Sequence, residues 1–210
     1  MRIGYVALSL AVTLGIAWAD PLPNLVVNGG FETGSFSGWT VTGNTTPCLF
    51  VGTTNDPRCI PTTGIGPHSG NYAAELGNAG GDAFLSQNLA TTAGTTYELT
   101  FWLAVQNYGT PLNDFSVTWN GKQIFSETNI TSQGYTEYEF TGLAATGNST
   151  ALTFGFRDDP SYLVLDDVSV VDPPPTPEPG TLGLFGAPLV LALLRPRRSW
   201  AATVARWLKE

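Results

Sequence analysis

The stretch Tyr97-Glu98-Leu99-Thr100-Phe101-Trp102-Leu103-Ala104-Val105 decides the fold. Tyr97, Leu99, Phe101, Leu103 and Val105 fall at every second position. That is the period at which a strand turns alternate side chains to one face. Phe115, Val117 and Trp119 repeat the pattern, Asn120-Gly121 marks a hairpin turn, and Ile124-Phe125 sits on the return strand. Tyr138 and Phe140, then Leu152, Phe154 and Phe156, keep the period, and a β-branched run closes it from Leu163 to Val171. No internal repeat and no amphipathic helix interrupts the series. Many short strands with turn signals between them predict an all-β antiparallel β-sandwich over residues 20–172, the size of one domain.

Both ends of the chain read differently. Met1-Arg2 is a minimal positive start, Ile3 to Ile16 is apolar or small, and Ala17-Trp18-Ala19 is a small-x-small cleavage site. Residues 1–19 therefore read as a signal peptide that forms an N-terminal signal helix, with the mature chain starting at Asp20. At the other end, residues 173–179 are a proline-rich linker unable to join a sheet. Gly180 to Leu194 carries no charge, and Arg195, Arg197 and Arg198 follow at once. As a helix this segment covers roughly 22 Å, short of the ~30 Å hydrocarbon core, so residues 180–198 predict a short transmembrane helix with its arginines in the cytoplasm.

The string Pro177-Glu178-Pro179, then the apolar run, then Arg195, Arg197 and Arg198, resembles a PEP-CTERM sorting signal. The resemblance implies Pro177, Glu178 and Pro179 as the recognition motif and the three arginines as the stop-transfer cluster. It also implies an exosortase-type membrane protease as partner, with transient residence in the inner membrane. After processing, the product would lie in the cell envelope, on the cell surface or outside the cell, in a biofilm matrix. One departure is the continuation through residues 199–210, where Trp200, Val204, Trp207 and Leu208 share a helix face. That pattern fits either a short amphipathic tail on the cytoplasmic membrane surface or an extension without a role.

Charge follows the same layout. Asp20 to Pro179 holds sixteen acidic residues against Arg58, Lys122 and Arg157, a balance of −13, whereas the remainder from Gly180 is +4. Such a domain repels nucleic acid and anionic lipid. Cys48 and Cys59, an even pair in an exported chain, predict one disulfide around the turn-like Asn55-Asp56-Pro57-Arg58. Asn44, Asn129 and Asn148 each open an Asn-x-Ser/Thr triplet, a pattern a Thr-rich sequence generates by chance.

The order Asn28-Gly29-Gly30-Phe31-Glu32, Gly38-Trp39, His68-Ser69-Gly70-Asn71-Tyr72-Ala73-Ala74, Leu165-Asp166-Asp167-Val168-Ser169-Val170 is similar to carbohydrate-binding-module-like jelly rolls of the galactose-binding superfamily. The resemblance implies a structural calcium where the opening Glu32 meets Asp166 or Asp167, with carbonyls near Ser69-Gly70 completing the shell. The alternative is an Asp-Asp turn without metal. Asp166 shares parity with Val164, Val168 and Val170, which predicts an inward side chain in need of a cation or donors. For a glycan, Trp102 lies opposite in parity to the core stripe, and Tyr108 sits in a Gly/Pro loop. Trp102 either shows on a sheet face or is buried under a loop.

Catalysis has little to stand on. His68 is the single histidine, Gly34-Ser35-Phe36-Ser37-Gly38 has Phe where a nucleophile elbow needs Ser, and Asp158 and Asp159 point to opposite faces of a strand. The sequence thus predicts a non-enzyme: an exported surface or matrix protein with a binding domain. A carbohydrate-binding module for a specific exopolysaccharide is the alternative, and a glycoside hydrolase the third reading.

Overall fold

A computed structural model describes residues 22–45, 47–53, 65–106, 112–159 and 161–172. Ten strands run in chain order. They are β1 (Thr40–Gly43), β2 (Pro47–Gly52), β3 (Ala73–Asn78), β4 (Ala83–Ala90), β5 (Thr96–Gln106), β6 (Asn113–Trp119), β7 (Lys122–Thr128), β8 (Gln133–Ala144), β9 (Ser149–Asp158) and β10 (Tyr162–Val171). They form two five-stranded sheets, sheet A in the order β1-β4-β9-β6-β7 and sheet B in the order β2-β3-β10-β5-β8. Every printed pairing is antiparallel. The expected all-β sandwich is the observed architecture.

Alternation explains the packing. Leu99, Phe101, Leu103 and Val105 of β5 are fully buried, as are Phe115 and Val117 of β6 and Leu152, Phe154 and Phe156 of β9. Phe101 and Phe154 meet edge to face at 5.3 Å, and Phe115 closes the triangle at 5.7 and 5.8 Å. Asn120 and Gly121 join β6 to β7 with φ of 48° and 77°, the pair of positive angles a two-residue hairpin turn requires.

The opening segment lies along the second half of β10, beyond the reach of β3. Leu25 N donates to Val170 O at 2.8 Å, and Val168 N donates to Gly29 O at 3.0 Å. Gln87, inward on β4, pins the same segment: its amide accepts from Val27 N and donates to Val27 O and Gly38 O. Trp39 stacks on Phe31 at 5.9 Å and donates its indole N–H to Asn28 O.

β10 departs from the expected parity. Leu163 and Leu165 face the core between the sheets, and Val164 packs with Ala73 and Ala104 on the outer face of sheet B. A register shift between Asp166 and Ser169, with Asp167 at φ 49°, then returns Val168 and Val170 to the core. An extra residue in a strand flips every later side chain. Asp166 is buried, but on the outer side of the sheet with Val164, not inward with Val168 and Val170.

The chain divides into two units, Met1–Pro173 and Pro174–Glu210, and only the first contains described residues. The signal peptide, linker, Pro177-Glu178-Pro179 motif, arginine cluster, residues 199–210, Cys59 and Tyr108 all lie outside the described residues. Cys48, on β2, is disulfide-bonded. Among the described residues no helix is long and apolar enough to cross a membrane.

Candidate functional site

Two regions gather polar side chains, one on each sheet's outer face. The first is a junction of loops on sheet B. Glu32 arrives on the opening segment, Asp166 and Asp167 on the β10 bulge, and residues 68–72 on the approach to β3. Glu32 accepts hydrogen bonds from Asn71 N at 2.9 and 3.1 Å and from Tyr72 N at 3.0 Å. Gly70 takes φ +63°, and a Cβ there would collide with the Glu32 carboxylate. Asp166 accepts from the backbone N–H groups of His68 (2.8 Å), Ser69 (3.2 Å) and Asp167 (2.8 Å). Asp167 binds His68 Nδ1 and Ser69 Oγ, each at 2.7 Å. Burial pushes the Asp166 carboxyl up to about 6 against these donors, with the neighbouring Asp167 charge adding to the rise.

The three carboxylates thus lie at one junction, each bonded to its own part of residues 68–72. Asp166 Oδ1 and Asp167 Oδ1 both approach Gly30, where a Cβ would sit 3.9 and 3.4 Å from them. In donor type and charge this convergence fits a hard, oxygen-binding cation such as calcium. No three acidic, histidine or cysteine side chains among the described residues already stand as a metal cage. Calcium there is what the family resemblance implies, and Glu32, Asp166 and Asp167 are the residues that would hold it.

His68 also lies flat on Trp102, with ring centroids 3.9 Å apart and planes 13° from parallel, while Tyr135 meets His68 edge-on at 5.1 Å. Tyr135 Oη donates to Gly66 O at 2.9 Å. Its phenol is pushed far up by burial first, then by the charges of Asp166, Glu75 and Asp167. Trp102 is on the outer side of sheet B as its parity requires. One face of its ring is taken by His68 and the residue is half-buried, between the two arrangements open to it.

The second region is the outer face of sheet A. Cross-strand register lines up Thr42, Phe84, Gly155, Ser116 and Ser126 in one row, and Thr40, Ser86, Thr153, Thr118 and Gln123 in the next. Phe84 is the single aromatic in these rows and is 39% exposed, one of three exposed large hydrophobic residues among those described. Its ring lies over Gly155, where a Cβ would come within 3.0 Å of Cε1, and beside Gly43. Glycine at 155 leaves room for the ring against the sheet. Beyond it, Arg157 stands opposite Asp114 on β6 and donates to Asp159 at 3.4 Å. Burial raises the Asp114 carboxyl, Asp82 adds to the rise and Arg157 opposes it. A flat ring framed by hydroxyls, amides and one guanidinium can stack on the C–H face of a sugar and bond its hydroxyls.

Sequence reading missed this platform. The signal was present, because in Ala83-Phe84-Leu85-Ser86-Gln87-Asn88-Leu89 the aromatic shares parity with Ser86 and Asn88. Its glycine seat on β9 is a long-range pairing that local pattern does not reveal.

Two five-stranded antiparallel sheets packed face to face define a jelly-roll β-sandwich. The chain belongs to the family described as Protein of unknown function (DUF642), whose model matches residues 31–171. Among solved structures it is similar to TmCBM61, determined in complex with β-1,4-galactotriose. That match has a TM-score of 0.55 at 20% identity and covers 72% of this chain and 99% of that one. It is also similar to the enzymatically active domain of bacteriophage CBA120 tailspike protein 4, with a TM-score of 0.50 at 17% identity, covering 71% of this chain and 21% of that one. A family 16 carbohydrate-binding module matches at TM-score 0.45 and 20% identity, over 71% of this chain and 100% of that one. No curated protein sequence matches.

Proposed function

We propose that this domain binds carbohydrate on the open face of sheet A. The observation that carries the reading is Phe84 lying on Gly155 amid rows of Ser and Thr, an aromatic platform with polar groups around it. The fold, shared with TmCBM61, supports a binding module. The test is retardation of the purified protein in gels containing neutral polysaccharides, β-1,4-galactan first. Phe84→Ala is expected to weaken binding at least ~10-fold, the loss of one stacking contact of about 1.4 kcal/mol. Equal retardation of both proteins by every polysaccharide tried removes Phe84 from the site.

The chain around this domain gives it an address. Residues 1–19 export it, and Pro177-Glu178-Pro179 with Arg195, Arg197 and Arg198 hands it to an exosortase-type protease, which releases a surface or matrix protein. Mass spectrometry of the exported product tests this, since an intact Glu210 counts against processing. Pairing of Cys48 with Cys59 and calcium held by Glu32, Asp166 and Asp167 belong to the same reading of an extracellular domain.

A further inference from the structure

Strand β7 is an edge of sheet A and β8 an edge of sheet B. Phe125 closes the seam between them against Tyr138 and Phe140, at 5.2 and 5.8 Å. Toward the β6–β7 turn lies a cavity of about 430 Å³. That volume is within the roughly 300–1,000 Å³ of small-molecule sites. Trp119, Ile124 and Leu143 supply its apolar lining, and Asn120, Lys122 and Thr146 its polar one.

The walls hold one another. Trp119 Nε1 donates to Ala144 O at 2.8 Å, and Asn120 Nδ2 donates to Thr146 Oγ1 at 2.7 Å. Both bonds tie the β6–β7 turn to the chain between β8 and β9. The turn is fastened from behind by Asn120 N, which donates to Ala151 O at 2.8 Å. A Cβ on Gly142, another lining residue, would meet nothing within 4 Å, so the cavity is open there. A ligand entering a preformed cavity has little of the protein to order. Among the described residues the Asn120 Oδ1 acceptor and the Thr146 O–H donor have no further bond, and Lys122 makes no ion pair.

Charge singles out the same place. The domain is strongly acidic, yet residues 91–97, 119–126 and 140–151, which surround the cavity, contain no Asp or Glu, and Lys122 is their one charged side chain. Glu127 is five residues along β7 from Lys122, and Glu139 is three along β8 from Gly142. At the rise of a strand these are separations of roughly 17 and 10 Å, beyond a Debye length of about 8 Å at physiological salt. Glu98 has the parity of sheet B's outer face, since its neighbours Tyr97 and Leu99 are in the core.

We infer that this cavity binds a uronate of an acidic glycan. The carboxylate pairs with the Lys122 ammonium, ring hydroxyls bond Asn120 Oδ1 and the Thr146 hydroxyl, and the C–H face of the ring lies on the apolar lining. One ammonium matches one negative charge. A neutral sugar leaves that ammonium unpaired, and a bare carboxylate leaves the lining and the two polar groups unused. The site is separate from the Phe84 platform and does not depend on it.

The experiment is titration calorimetry of the purified protein with α-1,4-trigalacturonate, neutral α-1,4-galactotriose and acetate, alongside amide and indole NMR spectra. Trigalacturonate is expected to bind at least ~10-fold tighter than either control and to shift the Trp119 indole N–H resonance. Half-molar salt is expected to shrink the preference, because the Debye length falls to a few ångströms. Lys122→Gln is expected to lower trigalacturonate affinity to that of the neutral trisaccharide. Adding Thr128→Lys to it, which restores the net charge at the far end of β7, is expected not to recover binding. Ala144→Trp, at an exposed position lining the cavity, is expected to fill it and abolish binding with the fold retained.

Equal affinity for the charged and neutral trisaccharides overturns the inference. So does acetate binding as tightly as trigalacturonate, which is anion attraction alone. Recovery by Thr128→Lys also overturns it, because net charge and not this cavity would then decide. Trigalacturonate binding that survives Lys122→Gln, or that Phe84→Ala abolishes, places the ligand elsewhere and overturns it as well. Lys122→Gln carries the test by itself where Ala144→Trp does not fold.

Discussion

Sheets A and B bury similar inward stripes but treat their outer faces in opposite ways. The outer face of sheet B holds Ala73, Glu75, Ala104, Val164 and Asp166, all nearly or wholly buried, with Ile65 and Tyr135 packed against the apolar three. Sheet A shows Ser, Thr, Gln and one exposed Phe to water. The difference comes from the chain between β2 and β3, whose 65–72 segment is fastened to β10 by Glu32, Asp166 and Asp167. A sandwich has two outer faces from which to make a site, and here the covered one spends its polar groups on holding the cover. The other carries hydroxyls that bond only within their own sheet, Ser116 to the Gly155 carbonyl and Ser86 to the Thr40 carbonyl.

The sharpest way to break this division is at the seam of sheet B. A Cβ on Gly29 would collide with the Val168 carbonyl, backbone against backbone, where neither side can turn away. Gly29→Ala is expected to cost on the order of 3–4 kcal/mol by urea unfolding, among the larger single-residue effects. A loss below ~1 kcal/mol would show that the opening segment can lift off β10 without harm.

That seam also marks the limit of what was legible beforehand. The β5 alternation and the Asn120-Gly121 turn were readable because a strand's period and a two-residue hairpin are local properties. That Glu32, Asp166 and Asp167 share one junction with residues 68–72 was suggested only through family resemblance. The side to which Asp166 points was read wrongly, since the bulge at Asp167 is a choice of backbone angle with no fixed residue signature. Phe84 carried a local hint in its polar neighbours, but Gly155 lies 71 positions away. Trp102 was left open between a sheet face and burial under a loop, because parity reports a face and not what covers it.

Between the two faces, Asp158 tests the core itself. It is 1% exposed, and neither carboxylate oxygen makes a well-formed hydrogen bond among the described residues. Burial pushes its pKa up to about 7, with Asp159 adding to the rise and the Ser161 backbone opposing it. The unfolded chain releases this proton near pH 4, so between about 4 and 7 the folded state binds more protons. Stability therefore falls as pH rises through that window. Asp158→Asn is expected to match the parent at pH 4 and to exceed it by on the order of 2–4 kcal/mol at pH 8. Parallel stability curves for the two proteins across that range would mean that Asp158 finds a donor.

Calcium probes the covered face next. Millimolar calcium is expected to raise Tm by several degrees over chelator, about 2.7 kcal/mol at a hundredfold excess over Kd. Glu32→Gln is expected to blunt that response. Identical melting with and without calcium would show the junction to be a hydrogen-bonded clamp alone.

The last comparison sets one aromatic against the other. Trp102 carries His68 on its face, and the His68 ring and main chain are bound in turn by Asp167 and Asp166. Trp102→Ala removes the surface on which the 65–72 segment rests and is expected to cost about 2 kcal/mol, with glycan binding retained at temperatures where the protein stays folded. Phe84→Ala removes a ring that rests on Gly155 and faces water. It is expected to change stability by no more than about 1 kcal/mol, while binding is lost. The two variants should therefore exchange their effects when melting curves are set beside binding curves. Binding lost in Trp102→Ala but kept in Phe84→Ala would move the site to sheet B, with the 65–72 segment as part of it rather than its cover.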